Sequence, residues 1–247
     1  MSLLQSMERQ GNFLFKYRGQ FPLILFILAI PFIYYHSRIG EEIETYFMYT
    51  SITLSAIGFL IRFYTIGTTP KGTSGRNTKK QIATVLNSTG MYSLLRHPLY
   101  LGNYLIWIGI AGATLNIYFV IIISLLFWLY YERIIFAEEQ FLKSKFGETY
   151  LNWSNTLPAF IPKLSNFKKS NTPFSLISVL RREYASVLSA TIGFAYVEVL
   201  KNYIINGSLV INKLDSTLKI LSIVIVVVIV LRSLKHHTNL LNEKGRS

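Results

Sequence analysis

The chain has 247 residues, 51% of them hydrophobic, 15% aromatic and only 15% charged, with a net charge of +13 and a mean hydropathy of +0.37. A soluble domain usually carries about a quarter charged residues, so the composition points to the membrane, although the basicity taken alone would suit a polyanion binder. There is no cysteine, which excludes disulfides, thiolate metal sites and cysteine nucleophiles.

In chain order, residues 1–20 read as an interfacial lead-in, with Phe13, Phe15 and Tyr17 beside Lys16 and Arg18. Glu8 sits among the basic residues and no small-residue cleavage site follows the first apolar run, so this start does not read as a cleavable signal peptide. Apolar runs cover residues 21–35, 46–66, 99–131, 184–205 and 216–234. Pro31 predicts a kink in the first, with a neighbouring group needed to satisfy the freed carbonyl. The third run is too long for one helix, and Ala111-Gly112-Ala113-Thr114-Leu115-Asn116 favours a reversal within it. Two helices of about 15 residues result, shorter than the ~20 that span a bilayer comfortably. The expected architecture is therefore an all-α polytopic bundle of about six transmembrane helices. Residues 132–183 form the main extramembrane segment, with a helix over 132–145 that Gly147 ends.

Charge placement is an independent check on that count. Six spans put the N-terminus, residues 62–98, residues 132–183 and the C-terminus on one side, and these regions hold 21 of the 25 Lys and Arg. The other side keeps Arg38, Lys201, Lys213 and Lys219, together with Glu41, Glu42 and Glu44. Positive residues concentrate on the cytoplasmic side of membrane proteins, so both termini are expected there: at the inner or plasma membrane of a bacterium, or the endoplasmic reticulum of a eukaryote. The same bias accounts for the basicity without nucleic acid.

Nucleotide-binding signatures are missing. No GxGxxG occurs, and the Gly67 to Gly72 spacing is followed by Thr73 where a phosphate loop needs lysine. A Rossmann domain is not expected. The densest polar constellation instead runs from Gly90 to Gly102, where the basic loop enters the third apolar run. Pro98 suits a helix start, which places Arg96 and His97 at a helix N-terminus, where the dipole favours an anion. One hairpin later the chain returns to the same face with Glu138-Glu139. Each piece alone has an ordinary reading: Arg96 as an anchor, the glutamates as a solvated face, Tyr92, Tyr100 and Tyr150 as interfacial aromatics. Together they suit a zwitterionic ligand. His236-His237 lacks a carboxylate or third ligand nearby in sequence, and no metal is expected.

In order, Arg96-His97-Pro98-x-Tyr100-x-Gly102, a hydrophobic hairpin, Glu138-Glu139-x-x-Leu142, Phe146-Gly147-x-x-Tyr150 and Pro158–Pro162 resemble the isoprenylcysteine carboxyl methyltransferase and phospholipid methyltransferase family. The resemblance covers about residues 46–162. It implies an integral membrane enzyme that binds S-adenosyl-L-methionine without a Rossmann fold and methylates a lipid or lipidated acceptor through a carboxylate, phosphate or amine. Carried over, Tyr92, His97, Pro98, Tyr100, Gly102, Glu138 and Tyr150 would contact the cofactor, with 158–162 closing the pocket. Arg96 would hold an anionic group of acceptor or cofactor. Glu139 would organise Arg96 or the cationic end of the cofactor, or accept a proton from an amine. The division expected is residues 1–45 as lead-in and first helix, 46–162 as core, and 163–247 as linker and appended hairpin. The loop at 67–80 is longer than the family core, and the hairpin lies beyond it. Two rival readings are a nicotinamide-dependent reductase of a sterol-like substrate, for which the chain is short, and a non-enzymatic membrane scaffold, which leaves the ordered motif unexplained.

Overall fold

A computed structural model describes residues 2–35, 41–73, 83–243 and 245–246. Much of the basic loop singled out above, residues 74–82, lies outside the described residues, as do residues 36–40 with Arg38. Ser2 and Gln5 form a capping box that starts α1 (Leu3–Tyr17). The lead-in is thus a helix that buries Gly11 and Phe15. Seven more follow: α2 (Phe21–Tyr34), α3 (Glu41–Gly67), α4 (Pro98–Gly112), α5 (Ile117–Phe146), α6 (Glu148–Ser154), α7 (Leu176–Asn206) and α8 (Ile211–His237). Among the described residues the only β pairing is an isolated bridge between Gly90 and Lys168. The chain is an all-α membrane bundle. Residues 42–67 of α3, α5 and α8 are long and apolar enough to cross a membrane, and the apolar part of α2, Leu23–Tyr34, is shorter. Helices α2, α3, α4, α5, α7 and α8 stand where the six apolar segments were expected.

Two boundaries differ from expectation. α5 runs without interruption for 30 residues, so the second arm of the hairpin and the extramembrane helix are one element. The change from apolar to charged residues at Glu132 alters what surrounds the helix, not its backbone, and nothing before Gly147 breaks it. α7 begins at Leu176 rather than 184, capped by the Ser175 side chain, and its first turns bury Arg182 and Glu183. The reversal between α4 and α5 lies where expected, with Leu115 at φ 60° and the Asn116 side chain capping Phe119 N at 3.2 Å. Pro31 stands inside α2, and the Tyr196 hydroxyl donates to the Phe26 carbonyl of that helix at 2.8 Å.

Close packing comes from small residues, the usual device where lipid removes the hydrophobic drive between helices. α3 and α4 run antiparallel, Ser51, Ser55 and Gly58 facing Gly112, Gly109 and Gly102. A Cβ on Gly102 would stand 2.8 Å from the Gly58 carbonyl oxygen, so the two backbones approach as only glycine allows. α3 and α7 are tied at two levels: Arg62 to Glu183 at 2.7 Å and Lys201 to Glu44 at 3.7 Å. The separation is the same on both helices, and at the helical rise of 1.5 Å per residue it is about 27 Å. That matches the ~30 Å hydrocarbon thickness, so the two ion pairs bracket the apolar stretch. Beyond α8 the chain returns to the Arg62 end: Arg246 donates to the Gly67 and Thr69 carbonyls at 2.9 and 3.2 Å, and Lys71 N to Gly245 O at 3.0 Å.

Candidate active site

Pro98 occupies the first turn of α4, with His97 as the residue before the helix. The turn preceding it is fixed by backbone pairing with the segment after α6. Arg96 N donates to Pro158 O at 3.0 Å, His97 N to Ala159 O at 3.2 Å, and Lys163 N to Leu94 O at 2.9 Å. Residues 158–162 therefore lie directly against the Arg96-His97 turn. Phe160 wedges between Tyr104, Phe127 and Trp128, anchoring that segment to α4 and α5.

α5 brings both glutamates to this turn. His97 Nε2 lies 2.9 Å from Glu139 Oε1, and Nδ1 lies 3.8 Å from Glu138 Oε2. The imidazole stacks on Tyr100 at 5.6 Å and 12°, and the Tyr100 hydroxyl donates to Glu138 Oε2 at 2.8 Å. Arg96 Nε is 3.1 Å from Glu139 Oε1, but its N–H is not aimed at that oxygen and the buried donor has no hydrogen bond; Nη1 reaches the Ser154 carbonyl at 3.4 Å. α6 places Tyr150 beside Glu139. Its buried hydroxyl interacts with the Glu139 carboxylate without closing a hydrogen bond of ordinary geometry. Burial first, and then the Glu139 carboxylate, hold the Tyr150 phenol well above its ordinary range. Trp153 Nε1 donates to Tyr92 O at 3.3 Å, tying α6 to the turn.

These residues border a cavity of about 450 Å³, within the ~300–1,000 Å³ of small-molecule sites. Tyr92, Arg96, His97, Pro98, Tyr100 and Glu138 line it. Glu139 and Tyr150 stand behind Arg96 and His97 rather than on the wall. Gly102 faces α3 and serves the helix contact described above. Buried polar groups are nearly always satisfied, so the unsatisfied Nε donor of Arg96, on a residue of the cavity wall, is available to a polar ligand. With Arg96 and Glu138 both on the wall, the charged groups fit a zwitterionic ligand.

The structure also exposes residues that sequence reasoning missed. Arg62 of α3 lines the cavity and grips Glu183 of α7 with Nε and Nη2, both at 2.7 Å; its Nη1 donates to Asn103. Asn103 Nδ2 in turn donates to the Tyr131 hydroxyl at 3.0 Å. Arg62 is the single charged residue of the 46–66 apolar run, and an ionisable group in a membrane helix is a functional candidate by default. That signal was present but was absorbed into the loop that follows. Among the described residues no group of three or more His, Asp or Glu is placed to hold a metal ion.

The sequence profile of the phospholipid methyltransferase family matches residues 46–149, a segment that holds all the expected site residues except Tyr150. A nickel-cobalt-cadmium resistance protein of Alcaligenes xylosoxydans xylosoxydans is 29% identical over 70% of this chain and 78% of its own length. A cobalt-zinc-cadmium resistance protein of Cupriavidus metallidurans is 35% identical over 40% of this chain and 46% of its own length. The protein-S-isoprenylcysteine O-methyltransferase of Schizosaccharomyces pombe is 26% identical over 47% of this chain and 52% of its own length. The chain thus spans about half the length of the latter two relatives. No solved structure matches.

Proposed function

We propose that this chain, whose residues 46–149 match the phospholipid methyltransferase family, transfers a methyl group from S-adenosylmethionine to a lipid or lipidated acceptor at the cytoplasmic face of a membrane. The observation that carries this reading is the meeting of Arg96, His97 and Glu138 on the wall of one cavity, with Glu139 behind them pairing with both Arg96 and His97. The cofactor supplies an electrophilic methyl group on a sulfonium. A carboxylate or phosphate oxygen is already nucleophilic, so the protein's work is alignment, exclusion of water and placement of charge.

Glu138, oriented by the Tyr100 hydroxyl, presents a negative charge to a cationic ligand. Glu139 holds Arg96 on one side, so the rest of the guanidinium is available to an anionic group. Glu139 also fixes the His97 ring through Nε2, which carries the proton when it donates. The 158–162 segment and Phe160 cover the turn and keep water from it.

The test is incubation of purified protein in nanodiscs with methyl-labelled cofactor, extracted membrane lipids and a prenylated cysteine peptide. Label is expected in the lipid or prenyl fraction; its absence from both refutes the reading. The cytoplasmic placement rests on the 21-to-4 charge split. Reporter fusions after Glu42 and after Asn212 should read as external, and a cytoplasmic signal at either overturns that placement.

A further inference from the structure

Part of the cavity wall comes from outside the family-matched segment. Arg182, Glu183 and Ser186 of α7 line it, as does Arg18 at the end of α1. The wall carries Arg18, Arg62, Arg96 and Arg182 against Glu138 and Glu183, two more cations than anions. Arg96 and Glu138 belong to the site already described. The remainder, Arg18, Arg62, Arg182 and Glu183, is a second set of charges lining the same cavity, in which Arg62 and Glu183 are paired.

That pair is deeply buried, its side chains 11% and 3% exposed. A buried ion pair is a poor stabilising device, since an apolar pair of similar shape often does as well or better. Its presence on the wall of a cavity calls for another reason. Glu183 and Asn103 take three of the guanidinium N–H donors of Arg62, and a guanidinium has five. Two donors therefore remain on a side chain whose orientation is locked. Arg182, next along α7, is 8% exposed on the same wall. Arg18 is fixed by its contact with the Phe15 ring at 3.9 Å and a hydrogen bond to the Phe15 carbonyl at 3.1 Å. The group sits at the end of the α3–α7 pair, about 27 Å along the helix axes from the Lys201–Glu44 pair. That is the depth of lipid head groups rather than of tails.

We propose that Arg18, Arg62 and Arg182 form the head-group subsite for the acceptor, and that the subsite takes a lipid-borne oxyanion, carboxylate or phosphate, in preference to an amine. The C-terminal hairpin is then part of the enzyme's specificity: α7 supplies one arginine directly and positions another through Glu183. The proposal rests on the methyltransferase reading only in calling that lipid the acceptor.

The experiment titrates the full chain, in neutral maltoside micelles, with dodecyl phosphate, dodecanoate and dodecylamine, and separately with S-adenosylhomocysteine. The wild type is expected to bind at least one of the anionic amphiphiles about tenfold or more tightly than the amine, the size of one charge-assisted contact. The tighter of the two anions identifies the head group. Arg182→Gln and Arg18→Gln should each lose that preference while keeping wild-type affinity for S-adenosylhomocysteine. Glu183→Gln should raise the acceptor KM with kcat little changed, the mark of a positioning residue. Equal binding of amine and anions overturns the proposal, as does a preference that survives both arginine variants. A parallel loss of S-adenosylhomocysteine affinity also overturns it, by assigning these arginines to the cofactor. If the wild type shows the anion preference but does not bind S-adenosylhomocysteine, the methyltransferase reading fails and the oxyanion-lipid subsite stands.

Discussion

Replacing Arg96 by lysine separates a site residue from a membrane anchor. In the structure the guanidinium has Glu139 3.1 Å from Nε and the Ser154 carbonyl 3.4 Å from Nη1, with the Nε donor buried and unsatisfied. Lysine keeps the charge and can still pair with Glu139, but it loses the planar fork that engages an oxyanion through two parallel donors. The Arg96–Glu139 pair is partly exposed, each side chain at 23%. An ion pair so placed contributes about 0–1 kcal/mol, and folding stability should hardly move. One lost charge-assisted hydrogen bond is worth about 1.5–3 kcal/mol, so kcat/KM should fall by about tenfold to a hundredfold. Methyl transfer into extracted lipid measures the second quantity and thermal unfolding in detergent the first. An anchor would behave differently: lysine would serve as well as arginine, and alanine would disturb orientation in the membrane. Wild-type turnover in Arg96→Lys would make Arg96 an anchor, and a large loss of thermal stability would make it a structural residue; either outcome removes it from the site.

His97→Ala and Glu138→Ala should each weaken S-adenosylhomocysteine binding by about tenfold to a hundredfold in calorimetry, with the protein still folded; unchanged affinity in both removes the pair from the cofactor site. Gly102→Ala puts a Cβ 2.8 Å from the Gly58 carbonyl, an overpacking worth about 1–3 kcal/mol. It should lower the unfolding temperature without changing cofactor affinity per folded molecule, and the reverse pattern returns Gly102 to the ligand wall. The raised pKa of Tyr150 gives a signed pH effect. Its contribution to stability is fully present below the unfolded phenol value of about 10 and is lost as pH rises beyond it. The wild type should lose unfolding temperature more steeply above about pH 10 than Tyr150→Phe; parallel alkaline profiles contradict this.

The local features were legible because each follows from a few neighbouring residues. Pro98 starts α4, Asn116 caps α5 and Gly147 ends it, and the motif order put Arg96, His97, Tyr100, Glu138 and Glu139 in one place. Hydropathy was the weaker guide. It divided α5 at Glu132, where the environment changes while the backbone continues, and it started α7 eight residues late by treating Arg181, Arg182 and Glu183 as loop charge. The Ser2/Gln5 capping box was readable and would have revealed α1. The Arg62–Glu183 contact was not, because 121 residues separate the partners and neither apolar run specifies its neighbour. Gly102 shows the limit of motif transfer: a glycine in a binding motif can be there for the helix behind it.

On the function proposed above, the cavity between the Arg96-His97 turn and α5 holds S-adenosylmethionine. Calorimetric titration of the detergent-purified chain with S-adenosylhomocysteine, and in parallel with NADPH, reads this out without any acceptor. Saturable binding of S-adenosylhomocysteine, weakened in His97→Ala and Glu138→Ala, with no heat from NADPH is the predicted result. Binding of NADPH, or no binding of S-adenosylhomocysteine by the folded wild type, would contradict it.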